Sequence, residues 1–563
     1  MHRLDWPQGY KGVAALAFVL LIFFSYDIGL RPFASPDEGR YVEIPREMVV
    51  SGDYITPRLN GLKYFEKPPL FYWLQAAALK AFGLNEVSMR VWLVIFAVWG
   101  CLSVFLMGVN VHSPPAGLAA SALLATNVMY YAHSRLILID LLFSTLLSGV
   151  LWCFFAAFVQ KDRPKHREKI IILMYVLCAL ACLAKGLVGM LLPALTAFLW
   201  IMFSKNWKKI PEMLSVYGIL AFLLIFLPWH LMVMLKNPDF FHFYFIVEHF
   251  LRYTTKIHHR YQPVWFFLPV LLVGLLPWTG FALMAIKDAW TNIRTKGERH
   301  LENTFLFCWI FGVLGFFSFS GSKLIPYILP VMQPLALMTG IGIVRSLEST
   351  DGNQHFRRAA WLNLALCAIA LGSYWMLTTS ISDVLQNEDA SRALNALICI
   401  LLLSMLVLLA SIGEKYSKLS PTNALLAFVF LAANLMWTLH KASCYYQEVR
   451  KPSTKSMASF IRLNKMADDL IFCYGYYYQD FPVYLGSTVN VVDFVGELEF
   501  GAAAAPDKKA LWTAPEFWNF WNTTNQRIFL LLSRERYREV FATQVKMHNI
   551  LNFDKYFVVI SNR

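Results

Sequence analysis

The chain has 563 residues, of which 57% are hydrophobic, 16% aromatic and only 15% charged, with a formal net charge of +14. Ordinary soluble domains carry about 25% charged residues, so this composition, with its recurring apolar runs of about 20 residues, excludes a water-soluble globular protein and marks a polytopic helical membrane protein. The excess of lysine and arginine does not point to nucleic acid, because it falls in short loops where the positive-inside bias and anionic headgroups account for it.

In chain order, Arg3 and Lys11 precede a first apolar run at about 13–30. This places the N-terminus in the cytoplasm and reads as a retained signal anchor, since no cleavage site follows. The loop 31–86 is then on the far side, the periplasm of a bacterium. It holds Asp37-Glu38, Arg40-Tyr41, Glu43, Glu47 and the segment Glu66-Lys67-Pro68-Pro69. Tyr41 to Val50 is expected to form a short amphipathic helix in the interface. Gly52-Asp53 and Asn60-Gly61 are turn signals around an extended piece. Leu70 to Phe82, too short to span, reads as a second juxtamembrane helix.

Further spans are expected at 87–110, 115–131, 136–160, 170–184, 186–204, 212–235, 264–286, 302–320, 324–345, 359–378, 393–412 and 421–440, about thirteen in all. The basic segments 161–169, 205–209, Lys287 to Arg299, Arg357-Arg358 and Lys415/Lys418 all fall on the N-terminal side, as the positive-inside rule requires. An odd count puts the tail on the far side. The chain is therefore expected to divide into a membrane domain, 1–440, and a periplasmic tail, 441–563. The second far-side loop, 236–263, carries a predicted interfacial helix from Phe240 to Tyr253 and ends in Arg252, Lys256, His258, His259 and Arg260. Basic residues on this side oppose the bias, and an anionic ligand would explain them.

The tail changes character. IFCYGYYYQDFPVYL, VNVVDFV, IFLLLS and YFVVIS are short β-like runs separated by turns and helical segments, which predicts a small α/β domain. FVGELEFG lacks the strand–turn–helix context of a nucleotide fingerprint, and no P-loop is present, so neither a nucleotide cofactor nor ATP-driven transport is expected. Most of the nine cysteines fall in apolar runs and read as small core residues. Cys444 and Cys473, in the tail, could pair in an oxidising compartment.

Asp37 and Glu38 are candidate catalytic carboxylates, against the alternative of solvated caps. Asp140 opens a span, where an ionisable residue is costly and points to function; Arg135 is its candidate structural partner. Asp37 and Asp140 map to one membrane face and could meet in one cavity. Arg40 and Tyr41 join them as candidate substrate contacts. Lys67, backed by rigid prolines, and Arg252 could clamp a phosphate rather than snorkel to headgroups. Lys323, Tyr327 and Lys185 add further groups on that face. Together they suggest a ligand with a phosphate and a lipid tail. Glu66, His249 and His440 could hold a divalent cation such as zinc, although their spacing is not a ligand motif.

The stretch SPDEGRYVEIPREMVVSGDYITPRLNGLKYFEKPPLFYW closely resembles the signature of the bacterial 4-amino-4-deoxy-L-arabinose lipid A transferases. These are C-type polyprenyl-phosphate-dependent glycosyltransferases related to protein O-mannosyltransferases. SRLILID, LAKGLVGMLLP, VEHFLRY, LPVLLVGLLPW, SKLIPYILPVMQPLAL and the tail's DFPVYL and ELEFG extend the resemblance over most of the chain. It implies thirteen membrane helices, periplasmic juxtamembrane helices and a C-terminal periplasmic α/β domain in the bacterial inner membrane. It also implies transfer of aminoarabinose from undecaprenyl phosphate to lipid A phosphates, the modification that confers polymyxin resistance. By resemblance, Asp37 and Asp140 match the essential acidic positions, Lys67 and Arg252 the lipid-phosphate contacts, and Tyr327 lies in a shared segment. A zinc site is associated with the family, without a motif match to the ligands named above. LAKGLVG departs from the TKGP-like sequence of many relatives, and the very basic stretch from Lys256 to Arg260 is a second departure from the family's pattern. The rival readings are a related transferase with another sugar or a protein hydroxyl acceptor, a transporter of lipid-linked sugar, and a structural envelope protein.

Overall fold

A computed structural model describes residues 9–159, 164–255, 260–348, 352–380, 387–412, 420–505, 510–543 and 548–563. Of the basic residues read for orientation and ligand binding, Arg3, Lys161, Arg163, Lys256, His258, His259, Lys415 and Lys418 lie outside these. The chain forms two compact units that do not follow sequence order. The first comprises Met1–Ile28, Arg90–His230 and Phe245–Tyr445; the second comprises Gly29–Met89, Leu231–Tyr244 and Tyr446–Arg563.

Among the described residues, seven helices are long and apolar enough to cross a membrane: Ser88–Val111, Asp140–Val159, Val216–Lys236, His300–Ser318, Ile325–Glu348, Glu388–Ser411 and Pro421–Arg450. An eighth is possible if Val264–Gly274 and Thr279–Arg294, bent by 116°, count as one broken span. Lys11–Ser25, Pro114–Ala125 and Val188–Ser204 are shorter apolar helices. The expected run 115–131 is split at Asn127, whose side chain accepts a hydrogen bond from the Tyr130 amide at 2.8 Å and starts a new helix, Val128–His133. The run 264–286 is split where Pro277 falls between its halves, because proline cannot donate to the helical ladder.

The first unit packs its helices by small residues. A Cβ on Gly108 would lie 2.5 Å from the Cα of Gly117, and one on Gly340 would lie 2.5 Å from the amide of Ala120. Glycine at such positions lets apolar helices approach backbone to backbone, where dispersion rather than water release drives association. Polar pairs fix the register: Trp278 Nε1 donates to Thr126 Oγ1 at 2.9 Å, and Asn363 Oδ1 accepts from the Gly280 amide at 2.9 Å.

The second unit joins the first loop to the tail. Its first helix, Asp37–Ser51, ends at Gly52 in the left-handed conformation (φ 71°). Strands β1 (Arg58–Leu59) and β2 (Leu62–Lys63) form a hairpin about Asn60-Gly61. Both turn residues have positive φ, as the favoured two-residue hairpin turn requires. Leu70–Phe82 is helical as expected. In the tail, β3 (Leu470–Tyr474), β4 (Asn490–Val492), β5 (Leu511–Trp512), β6 (Ile528–Ser533), β7 (Asn549–Phe553) and β8 (Phe557–Ser561) form one sheet ordered β5-β4-β3-β6-β8-β7. The first four of that order are parallel, and β8 and β7 close it antiparallel. Phe472, Val492, Phe517, Leu530 and Ile560 build its core. β5 and β7, short or exposed, have no β-like run to mark them in the sequence, and DFPVYL, β-like by composition, is the helix Asp480–Leu485.

Tyr41 to Val50 is helical but not amphipathic. It belongs to Asp37–Ser51, and its polar residues Glu43, Arg46 and Glu47 are buried with its apolar ones. Arg46 donates through Nε to Glu43 at 2.6 Å and through Nη1 to the Gly486 carbonyl at 3.2 Å, while Glu47 accepts from the Gly61 amide at 2.9 Å. A charged face satisfied from inside looks amphipathic in sequence but needs no water. All nine cysteines, Cys444 and Cys473 included, are free thiols.

Candidate functional site

In the second unit, candidate residues gather at the start of Asp37–Ser51. The two neighbouring carboxylates part company there. Asp37 projects outward, its side chain 57% exposed, and receives Arg40 Nη2 at 2.6 Å. Glu38 is 1% exposed; it pairs with Arg31 at 2.8 Å and accepts from the Ala34 amide at 3.1 Å. Glu38 therefore ties down the approach to the helix and does not stand open beside Asp37. Arg40 is the hub. Besides Asp37 it holds Glu497 of the tail, donates to Tyr64 Oη at 3.2 Å and lies over the Tyr41 and Tyr64 rings at 5.6 and 6.0 Å. Tyr41 is buried, with its ring edge-on to Phe71 at 5.5 Å. Glu497 also accepts from Gln479. Burial pushes the Glu497 carboxyl up from its ordinary value, Arg40 pulls it back and nearby Glu66 raises it again. Lys67 Nζ donates to the Glu66 carbonyl at 3.0 Å.

In the first unit, Asp140 opens the helix Asp140–Val159 and Lys185 closes the helix Pro164–Lys185. Each charge sits at the helix end whose dipole favours it, and the two form an ion pair. Asp140's partner is thus Lys185 and not Arg135, which donates to the Tyr26 carbonyl at 2.7 Å and to Tyr131 Oη. Lys185 Nζ lies 4.9 Å from the Tyr327 ring centroid. Arg252 Nη2 donates to Tyr327 Oη at 3.4 Å, and its Nη1 donates to Glu248 at 2.6 Å. Asp140, Lys185, Tyr327, Arg252 and Glu248 form one connected polar line. Lys323 is turned into its own loop: Nζ donates to the Ser320 carbonyl at 2.7 Å and lies 5.3 Å from the Tyr261 ring.

The expected metal ligands do not form a metal centre. His249 Nε2 accepts from the Leu187 amide at 3.2 Å, and His440 Nε2 lies 3.1 Å from the Asp27 carbonyl. Among the described residues no group of three or more His, Cys, Asp or Glu side chains is arranged to hold a metal ion, so Glu66, His249 and His440 do not fit zinc as a set.

Glu248, Glu497 and Asp480 hold site residues in place without being among the candidates that the sequence singles out. Glu248 was within reach, four residues before Arg252 on a helix, where opposite charges meet. Glu497 lies in the ELEFG segment, but nothing local indicates that its partner is Arg40, 457 positions away.

Two family models match this chain in sequence order: dolichyl-phosphate-mannose-protein mannosyltransferase over residues 11–244 and aminoarabinose transferase C-terminal domain over residues 457–562. The undecaprenyl phosphate-alpha-4-amino-4-deoxy-L-arabinose arabinosyl transferase of Aeromonas salmonicida is 29% identical over 444 residues, 76% of each chain. The protein of the same name from Pseudomonas aeruginosa is 33% identical over 344 residues, 60% of each. Among solved structures, ArnT from Cupriavidus metallidurans bound to undecaprenyl phosphate superposes with a TM-score of 0.83 at 25% identity, covering 99% of this chain and 98% of that one. A multi-pass helical scaffold, a mannosyltransferase-like first half, an aminoarabinose-transferase tail and near full-length agreement with ArnT converge: the chain is a glycosyltransferase similar along its length to the aminoarabinose arabinosyl transferases.

Proposed function

We propose that this protein transfers 4-amino-4-deoxy-L-arabinose from undecaprenyl phosphate to phosphate groups of lipid A at the periplasmic face of the bacterial inner membrane, and so confers polymyxin resistance. The observation that carries the reading is the match, over 99% of the chain, to a relative solved with undecaprenyl phosphate. The topology that goes with it has about thirteen crossings, with the loops 31–86 and 236–263 and the tail 441–563 in the periplasm. Its support is the shared side of the basic loops.

The bond from the sugar's anomeric carbon to the donor phosphate breaks, and its electron pair leaves with the polyprenyl phosphate. An oxygen of the acceptor phosphate forms the new bond from the opposite face, inverting configuration. The acceptor is already anionic, so no base is needed to activate it. Asp37, open to solvent and held by Arg40, orients the acceptor or stabilises positive charge on the ring or its amine. Arg252, aimed by Glu248 and Tyr327, neutralises charge on a lipid-linked phosphate through a two-nitrogen fork that a lysine cannot reproduce. Lys67 supplies a point charge to such a phosphate. Asp140 holds Lys185 near Tyr327. No step runs through a metal or a nucleotide.

The test is the mass of lipid A from cells lacking this protein and complemented with the wild type or with Asp37→Asn. An aminopentose on phosphate only with the wild type supports the reading. A different sugar, a modified protein in place of lipid A, or lipid-linked sugar moved with no new glycosidic bond contradicts it.

A further inference from the structure

The tail of the second unit holds the chain on both sides of Asp37. Upstream, the Phe33 amide donates to Tyr484 Oη at 2.7 Å, and the two rings stack at 5.4 Å. Ser35 Oγ donates to Asp480 Oδ1 at 2.6 Å and accepts from the Asp480 amide at 3.1 Å, closing a two-bond ring two residues before Asp37. Downstream, Gly39 lies against the same backbone: a Cβ there would stand 2.4 Å from the Asp480 amide nitrogen and 2.5 Å from the Gln479 carbonyl carbon. Asp480 itself is fully buried, and its second oxygen accepts from Ser453 Oγ and the Thr454 amide, both at 2.8 Å. Burial pushes its carboxyl up, and the bonds from Ser35, Thr454 and Ser453 draw it back.

An apolar contact would join loop and tail just as firmly without burying a carboxylate, which is costly unless every lone pair is met. Directional bonds do something an apolar contact does not: they fix the rotation of Ser35, and with it the entry of the chain into the first helical turn. Arg40, one residue beyond Gly39, is gripped by Glu497, which Gln479 in turn holds. Thus adjacent tail residues set the helix start, through Asp480, and the cation on Asp37, through Gln479 and Glu497.

We propose that Asp480 is a positioning residue for Asp37, acting through Ser35, so that the C-terminal domain is part of the catalytic frame. The proposal rests on the transferase reading given above. It is tested with full-length protein in detergent, donor and lipid A, comparing wild type, Asp480→Asn, Asp37→Asn and the double variant. Displacing a reacting group by about 1 Å costs on the order of 10²-fold. Asp480→Asn is therefore expected to lower kcat by about 10²-fold, leave the donor KM nearly unchanged, and cause no further loss once Asp37 is already Asn. An unchanged kcat, or an equal loss in the Asp37→Asn background, overturns it. Should Asp480→Asn not fold, Ser35→Ala decides: it removes one hydroxyl and is expected to lower kcat by about 10-fold, again only while Asp37 is present, and an unaltered kcat overturns the proposal. A wild type that transfers no sugar is a failure of the transferase reading, and the parent sample alone shows it.

Discussion

The Arg252 cluster and the Asp37 cluster are assembled in opposite ways. Arg252 pairs with Glu248 from one turn earlier on its own segment, and Asp140 and Lys185 meet as the first and last residues of two helices. Around Asp37 the partners are remote: Arg40 to Glu497 spans 457 positions and Ser35 to Asp480 spans 445. Within the first arrangement Glu248–Arg252 is kept by local helix geometry, and Asp140–Lys185 and Arg252–Tyr327 join segments only 45 and 75 positions apart. The second exists only when the tail is folded, so changes more than 400 residues from Asp37 are expected to reach it.

The comparison is broken most forcefully at its chemical end. Asp37→Asn is expected to lower kcat by about 10³-fold with donor KM little changed; turnover near wild type would remove Asp37 from the chemistry. Arg252→Lys keeps the charge but loses the fork, and should raise the donor KM by about 10- to 100-fold with a smaller effect on kcat. Titrating undecaprenyl phosphate against both proteins checks this, and equal affinities would reduce Arg252 to a lipid-facing cation. Glu497→Gln removes the distant anion from Arg40 and should lower kcat by about 10-fold with folding intact; a change confined to Tm would make Glu497 structural only.

The smallest effect concerns pH. Burial pushes the Glu43 carboxyl from 4.5 up to about 8, against the pull of Arg46. A carboxyl raised on folding binds its proton more tightly in the native state, so the stability it contributes is complete below about 4.5 and is lost as pH rises toward about 8. Between pH 5 and 8, Tm of the wild type should fall relative to that of Glu43→Gln. Parallel curves would show that Glu43 is ionised throughout.

Much of this was legible in sequence because it is local. Apolar length marked the helices, Asn60-Gly61 the hairpin turn, and the prolines at 68 and 69 the start of Leu70–Phe82. The alternating β-rich runs of the tail gave four of its six strands. Other features were illegible for physical reasons. A buried Glu43–Arg46 pair has the same letters and spacing as a solvated helix face. Asp37 and Glu38 are adjacent, yet helix geometry turns one outward and the other to Arg31. Arg135 lay nearer to Asp140 in sequence than Lys185 did, but its own partners are the Tyr26 carbonyl and Tyr131.

The central claim is transfer of an aminoarabinose between two lipid phosphates. It is tested most directly with purified protein in detergent, undecaprenyl-phosphate-linked aminoarabinose and lipid A, followed by mass spectrometry of both lipids. The account predicts that lipid A gains one or more aminopentoses on phosphate while free undecaprenyl phosphate accumulates in equal amount, and that Asp37→Asn slows both about 10³-fold. Lipid A unchanged beside an intact donor, with the wild type present, would contradict it.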